Sequence, residues 1–122
     1  MQKKEKSELG RLGEKIAYNY LVKKGFTIKE TNWRFKHKEI DIICMYESTL
    51  VIVEVKTRSN PDFERPQDAV TRSKQRLLVS AADAYIQSSD FQGEVRFDII
   101  SIVKNKTTEI IEHIPDAFYP LL

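Results

Sequence analysis

The sequence has little of what builds covalent staples, sharp breaks or membrane spans. A single cysteine, Cys44, stands among 122 residues. No disulfide can form within the chain, which matches a reducing cytoplasm, and Cys44 is expected to serve as a small buried hydrophobe. Glycine and proline number four each, and the sequence contains neither a glycine-rich phosphate loop nor a nucleophile elbow. His37 and His113 lack metal-ligand spacing, and zinc-finger spacing is absent. No apolar run approaches the length of a membrane span. The opening MQKKEKSELG is charged and no apolar stretch follows it. No signal peptide is therefore expected, and the cytoplasm is the expected location. Repeats and low-complexity tracts are missing too, so residues 1–122 read as one domain, with residues 1–7 a flexible basic tail.

What is present is an uneven charge. Residues 1–36 hold ten Lys and Arg against four Asp and Glu; residues 37–89 hold seven against eight; residues 90–122 hold three against six. The basic end suits contact with a polyanion, and equally a solvated lysine-rich helix with a frayed tail.

The periodicity predicts the order α-β-β-β-α-β-β. Ser7 can cap a first helix running to about Gly25, with an apolar stripe of Leu9, Leu12, Ile16, Ala17, Tyr20 and Leu21. Gly13 falls within that stripe and Gly10 at its edge, which places the helix backbone close against another element. Glu14 lies at the boundary of the buried face. A strand over 26–35 changes phase between Phe26/Ile28 and Trp33/Phe35, so a bulge is expected near Thr31 and Asn32. Strands follow at about 38–46 and 49–57, joined by a turn at Glu47 and Ser48. A second helix is expected from about Gln67 to Gln87, with Val70, Leu77, Leu78, Ala81 and Tyr85 as its buried stripe. Strands at about 95–104 and 107–113 complete the chain. The first three strands form an antiparallel meander. The second helix is long enough to cross over to a strand parallel to the third. The expected fold class is α/β, a mixed sheet flanked by helices.

Charges interrupt two of the most strand-like runs. In EIDIICMYESTLVIVEVKTR, residues 39–58, Asp41 stands among isoleucines, and Glu54 and Lys56 among valines. A two-residue turn puts Asp41 opposite Glu54 and Glu39 opposite Lys56, gathering four charges on one patch. An odd loop without a bulge would scatter them. Close carboxylates repel unless a cation stands between them, and Mg²⁺ characteristically takes one or two carboxylates while keeping several waters. The spacing fits a metal site built on Asp41 and Glu54 and equally fits a cross-strand charge network.

Asp41, twelve residues, then Glu54-Val55-Lys56 resembles the PD-(D/E)XK nuclease pattern. More closely, GRLGEKIAYNYLVKKGF, TNWR, EIDII, VIVEVKTR, SKQRL and RFDII resemble the YraN-like family of uncharacterised bacterial proteins. That family is assigned to the restriction-endonuclease-like fold and is similar to archaeal Holliday-junction resolvases. The resemblance runs from about Leu9 to Phe118. It implies a nuclease acting on nucleic acid, DNA being favoured, with Mg²⁺ or Mn²⁺ as cofactor. Asp41 and Glu54 match the metal-binding carboxylates, Glu14 the helical glutamate that adds to the metal site, and Lys56 the lysine that positions or helps deprotonate the attacking water. Ile40 stands where the pattern's name has proline. Glu39 has no role in the family pattern and is read as a partner of Lys56 or a surface charge. A resolvase-like role implies a homodimer. A non-catalytic nucleic-acid-binding or assembly module keeping the same fold is the alternative.

Other residues are read from position alone. Lys74 falls in the middle of the second helix's apolar stripe, near the helix start, where it either snorkels to water or, with Gln75, lines the phosphate side of the site. Thr57 and Arg58 follow the motif and suit phosphate contact or an ordinary strand end. Trp33 is expected in the core, with stacking on an exposed base as the other possibility. Arg96 and Asp98 share a strand face and can pair.

Overall fold

The computed structural model describes residues 6–61 and 65–118. Helix α1 spans Glu8–Lys23; strands β1 (Thr27–Phe35), β2 (Lys38–Tyr46) and β3 (Thr49–Arg58) follow. A 3-10 turn at Pro66–Ala69 leads into α2 (Arg72–Ser89), then β4 (Val95–Lys104) and β5 (Glu109–Ile114). The five strands lie in one sheet in the order β1-β2-β3-β4-β5. β3 and β4 run parallel, and the other neighbours are antiparallel. The meander, the crossover helix and the closing parallel strand expected from the periodicity are all present.

The sheet separates two cores, because side chains alternate faces along each strand. Leu50, Ile52, Phe97 and Ile99 face α2 and meet Leu78, Ala81 and Ala82. Val51, Val53, Ile100 and Ile102 face α1 and meet Ala17 and Leu21. Cys44 is buried in this second core, as its composition predicted. Among the described residues, no helix is long and apolar enough to cross a membrane.

The Ser7 hydroxyl accepts from the Gly10 N–H and caps α1, and Gly25 follows the helix with a φ of 94°. The buried line on α1 is narrower than the expected stripe: Gly13, Ala17 and Leu21 are buried, and Leu12 is exposed. Gly13 explains the narrowing. A Cβ there would collide with the Thr57 side chain, so only glycine lets α1 lie this close to β3. Close approach at one line of small residues lifts the neighbouring positions away from the sheet.

Three expectations need correction. The register shift in β1 lies between Ile28 and Glu30, not at Thr31 and Asn32, although Asn32 does take a left-handed φ of 52°. The second helix does not run unbroken from Gln67. Val70 is extended, and Thr71 starts α2 afresh by accepting from the Lys74 N–H. Leu77 is exposed, because the buried line is set by Leu78, Ala81 and Ala82 and Leu77 points about 100° away from Leu78. Trp33 packs in the α2-side core, edge-on to Tyr85 at 5.3 Å, and so belongs to the core.

Candidate functional site

The site begins where β2 and β3 part. Their register runs from Tyr46↔Thr49 to Ile42↔Val53, so the turn is the two residues Glu47 and Ser48. Continuing that register places Asp41 against Glu54. No paired residues follow Ile42↔Val53. The Val55 N–H, which the register aims at a β2 carbonyl, donates instead to Asp41 Oδ2 at 2.8 Å. A carboxylate thus takes the place of backbone at the end of the ladder, and the strands open around it.

A cavity of about 630 Å³ fills this opening. Its walls come from several places in the chain. Ser7, Gly10 and Glu14 line it from the start of α1, and Arg34 at the end of β1 and His37 in the β1–β2 turn follow. Glu39 and Asp41 belong to β2, Glu54 to Thr57 to β3, and Lys74 to the first turn of α2. Glu14, Asp41, Glu54 and Lys56, singled out along the sequence, therefore border one cavity. Thr57 and Lys74 border it as well. Gln75 and Arg58 are not among its lining residues. The Gln75 amide donates to the Val70 carbonyl at 3.1 Å, an ordinary helix-start contact. Lys74 is exposed, and its ammonium reaches the Ala69 carbonyl at 3.4 Å. Lys56 is exposed too, with no ion pair to any of the described residues.

Four carboxylates, Glu14, Glu39, Asp41 and Glu54, crowd into the cavity among the cations Lys6, Arg34, Lys38, Lys56 and Lys74. Lys38 meets Glu54 at 3.4 Å and Arg34 meets Glu39 at 3.6 Å. Burial raises the Glu54 carboxyl, and the charge of Asp41 raises it further, up to about 7, against the pull of Lys38. Glu14 is raised mainly by burial, which outweighs the opposing hydrogen bond from Lys6.

Lys6 is the residue that sequence reasoning missed. Its ammonium pairs with Glu14, with Glu39 Oε1 at 2.9 Å and with Asp41 Oδ1 at 3.0 Å, and donates to Asn32 Oδ1 at 2.6 Å. Burial works against the Lys6 charge, but Asp41 and the hydrogen bonds to Glu14 and Glu39 outweigh it and raise its pKa. Lys6 and Ser7, expected in the flexible basic tail, are instead held in the fold, Lys6 by these contacts and Ser7 as the helix cap. Lys3 and Lys4 of the basic end lie outside the described residues. The available signals were the left-handed tolerance of Asn32 and the tilt of helix side chains toward the N-terminus, which turns Glu14 back toward Lys6. Glu39 meets Lys6 and Arg34, not the expected Lys56.

Among the described residues, no three His, Cys, Asp or Glu side chains are gathered tightly enough to hold a metal ion. The donor chemistry nevertheless fits a hard cation. Oxygens from Glu14, Asn32, Glu39 and Asp41 all face one positive charge, the Lys6 ammonium.

Sheet order, flanking helices and the acidic cavity where β2 and β3 part define a restriction-endonuclease-like α/β domain. The chain belongs to the Uncharacterised protein family UPF0102, whose model matches residues 13–102. That family is the YraN-like one that the motifs resembled. The chain is 51% identical over 115 residues to a UPF0102 protein of Flavobacterium psychrophilum, covering 94% of this chain and 97% of that one. It is 46% identical over 116 residues to one of Phocaeicola vulgatus, covering 95% and 96%. With one of Bacteroides fragilis the identity is 48% over 118 residues, covering 97% and 98%.

Proposed function

We propose that this protein is a metal-dependent nuclease that hydrolyses phosphodiester bonds in nucleic acid, with DNA the favoured substrate. One observation carries the reading: Glu14, Asp41, Glu54 and Lys56, from three different elements, border a single open cavity. A purely structural charge cluster has no need to crowd four carboxylates around an open cavity. A Mg²⁺ or Mn²⁺ ion held by Asp41, Glu54 and Glu14 would supply charge neutralisation and an activated water. The remaining work falls to the protein. The Val55 N–H fixes the Asp41 carboxylate by holding Oδ2 and leaving Oδ1 toward the cavity. Lys56, exposed on the cavity wall, orients water and stabilises charge developing on the phosphate. Lys74 and the Thr57 hydroxyl border the same space and suit contact with flanking phosphates. Symmetric cutting of two strands would take two copies of the chain.

The test is a cleavage screen over branched, duplex and single-stranded DNA and RNA with Mg²⁺ or Mn²⁺. Wild-type protein should cut at least one substrate, Asp41→Ala should cut none, and Lys56→Ala should keep most binding while losing cleavage. Binding without cleavage under every condition, indistinguishable in Asp41→Ala, would leave the non-catalytic binding module as the reading.

A further inference from the structure

Lys6 stands in an unusual position for a lysine one residue outside a helix cap. A surface ammonium typically makes one ion pair of small consequence. This one faces four side-chain oxygens from three elements: Glu14 of α1, Asn32 of β1, and Glu39 and Asp41 of β2. An ammonium has only three protons to donate. Four acceptors therefore surround it as oxygens surround a cation, not as one directed hydrogen bond surrounds its donor. Three of the four are carboxylates. Arg34 also meets Glu39, at 3.6 Å, which leaves Glu14 and Asp41 sharing the one charge of Lys6, and a doubly charged ion would match two carboxylates better.

We propose that the Lys6 ammonium is an exchangeable plug. It occupies the cation position of the pocket in the metal-free protein, and a divalent cation enters by displacing it. The proposal rests on the metal half of the nuclease reading and not on cleavage. The anatomy permits the exchange. The Lys6 side chain is 29% exposed, so water reaches it. Its backbone is held independently, because Arg11 donates to the Lys6 carbonyl at 3.1 Å and Ser7 caps α1. The side chain can therefore swing out without undoing the helix. Lys6 also keeps three carboxylates from repelling one another while no metal is bound, so the pocket stays assembled for the ion that replaces it.

Two measurements test this. The first follows free Mn²⁺ by electron paramagnetic resonance during titration of wild-type protein and Lys6→Gln. Removing a competing charge this close to the carboxylates should tighten Mn²⁺ binding by roughly tenfold or more. Equal or weaker binding by Lys6→Gln, or no Mn²⁺ binding by either protein, overturns the proposal. The variant also deletes a counter-charge and could fold poorly, so the second measurement uses wild-type protein. Acetic anhydride labelling, read by mass spectrometry, should modify Lys6 slowly without metal and several-fold faster at saturating Mn²⁺, with Lys15 and Lys23 unchanged as internal references. Unchanged Lys6 labelling with Mn²⁺ bound overturns the plug. Neither readout involves cleavage. A protein that releases Lys6 to Mn²⁺ yet cuts nothing loses the nuclease reading and keeps this one, and a protein that cuts while Lys6 stays protected does the reverse.

Discussion

Two clusters of buried charge sit on this sheet, and they are built on opposite plans. Around Asp98 everything is matched. Arg96 grips the carboxylate through Nε at 2.8 Å and Nη2 at 2.9 Å, His113 Nε2 meets it at 2.7 Å, and the Asp116 N–H donates at 3.0 Å. One carboxylate thus has four donors, and its side chain is 0% exposed. Burial alone would raise its pKa, but the hydrogen bonds from His113 and Arg96 reverse this and lower it. Around Asp41 four carboxylates crowd together, the cluster opens into a cavity, and Glu14 and Glu54 are raised. Charge that serves structure is closed and neutralised within the chain. Carboxylates crowded and raised beside an open cavity are arranged for something that arrives.

The largest expected effect comes from breaking the closed cluster. Asp98→Ala leaves Arg96 half-buried without its carboxylate and should destabilise by about 3 kcal/mol in denaturant unfolding. A loss under about 1 kcal/mol would mean that the Asp98 network is no more than a surface pair. Next comes the spacing that brings α1 and its Glu14 to the open cluster. Gly13→Ala drives a methyl into Thr57 and should cost about 2 kcal/mol. It should also weaken Mn²⁺ binding, since Glu14 moves with the helix. Unaltered Mn²⁺ binding in a destabilised Gly13→Ala would remove Glu14 from the metal site.

A smaller effect belongs to pH. Glu54 keeps its proton up to about 7 when folded, against 4.5 for the unpaired group, so between those values the native state binds more protons than the unfolded chain. The stabilisation from this group is present below about 4.5 and is lost as pH rises through about 7. Glu54→Gln removes that loss and should gain on the order of 1–2 kcal/mol over wild type at alkaline pH, with little difference in acid. Parallel stability curves for the two proteins across this range would contradict the burial and crowding of Glu54 against Asp41 in the open cluster. Asp98 acts with the opposite sign: its lowered pKa contributes stability above the usual carboxylate range that is lost on acidification.

The fold was readable because the hairpin fixes its own register. A two-residue turn pairs Tyr46 with Thr49, and the same register carries Asp41 opposite Glu54 and keeps the charges together on one face. The bulge in β1 was misplaced because the apolar residues bound it only between Ile28 and Trp33, and the intervening Lys29 to Asn32 carry no face preference. The start of α2 was misplaced because Pro66 and Thr71 both signal a beginning, and only tertiary burial of Val70 decides between them. Of the site, Glu14, Asp41, Glu54 and Lys56 were legible as charges in apolar patterns. Lys6 was not, because a lysine in a charged N-terminal run looks like any solvated lysine. Its partners Asn32, Glu39 and Asp41 lie far along the chain, where only the folded topology brings them close. Gln75 was read as facing the cavity because it follows Lys74, but one helical step turns it toward Val70.

The most direct test of the difference between the two clusters is the melting temperature with and without millimolar Mn²⁺, for wild type, Asp41→Asn and Tyr20→Phe. Tyr20 donates to or accepts from His113 Nδ1 at 3.1 Å, so its phenylalanine variant perturbs only the closed cluster. Binding to the native state raises the melting temperature by mass action. The account predicts a rise of a few degrees in wild type and in Tyr20→Phe, and none in Asp41→Asn. A full Mn²⁺ response in Asp41→Asn would contradict it and place the ion somewhere other than the open pocket.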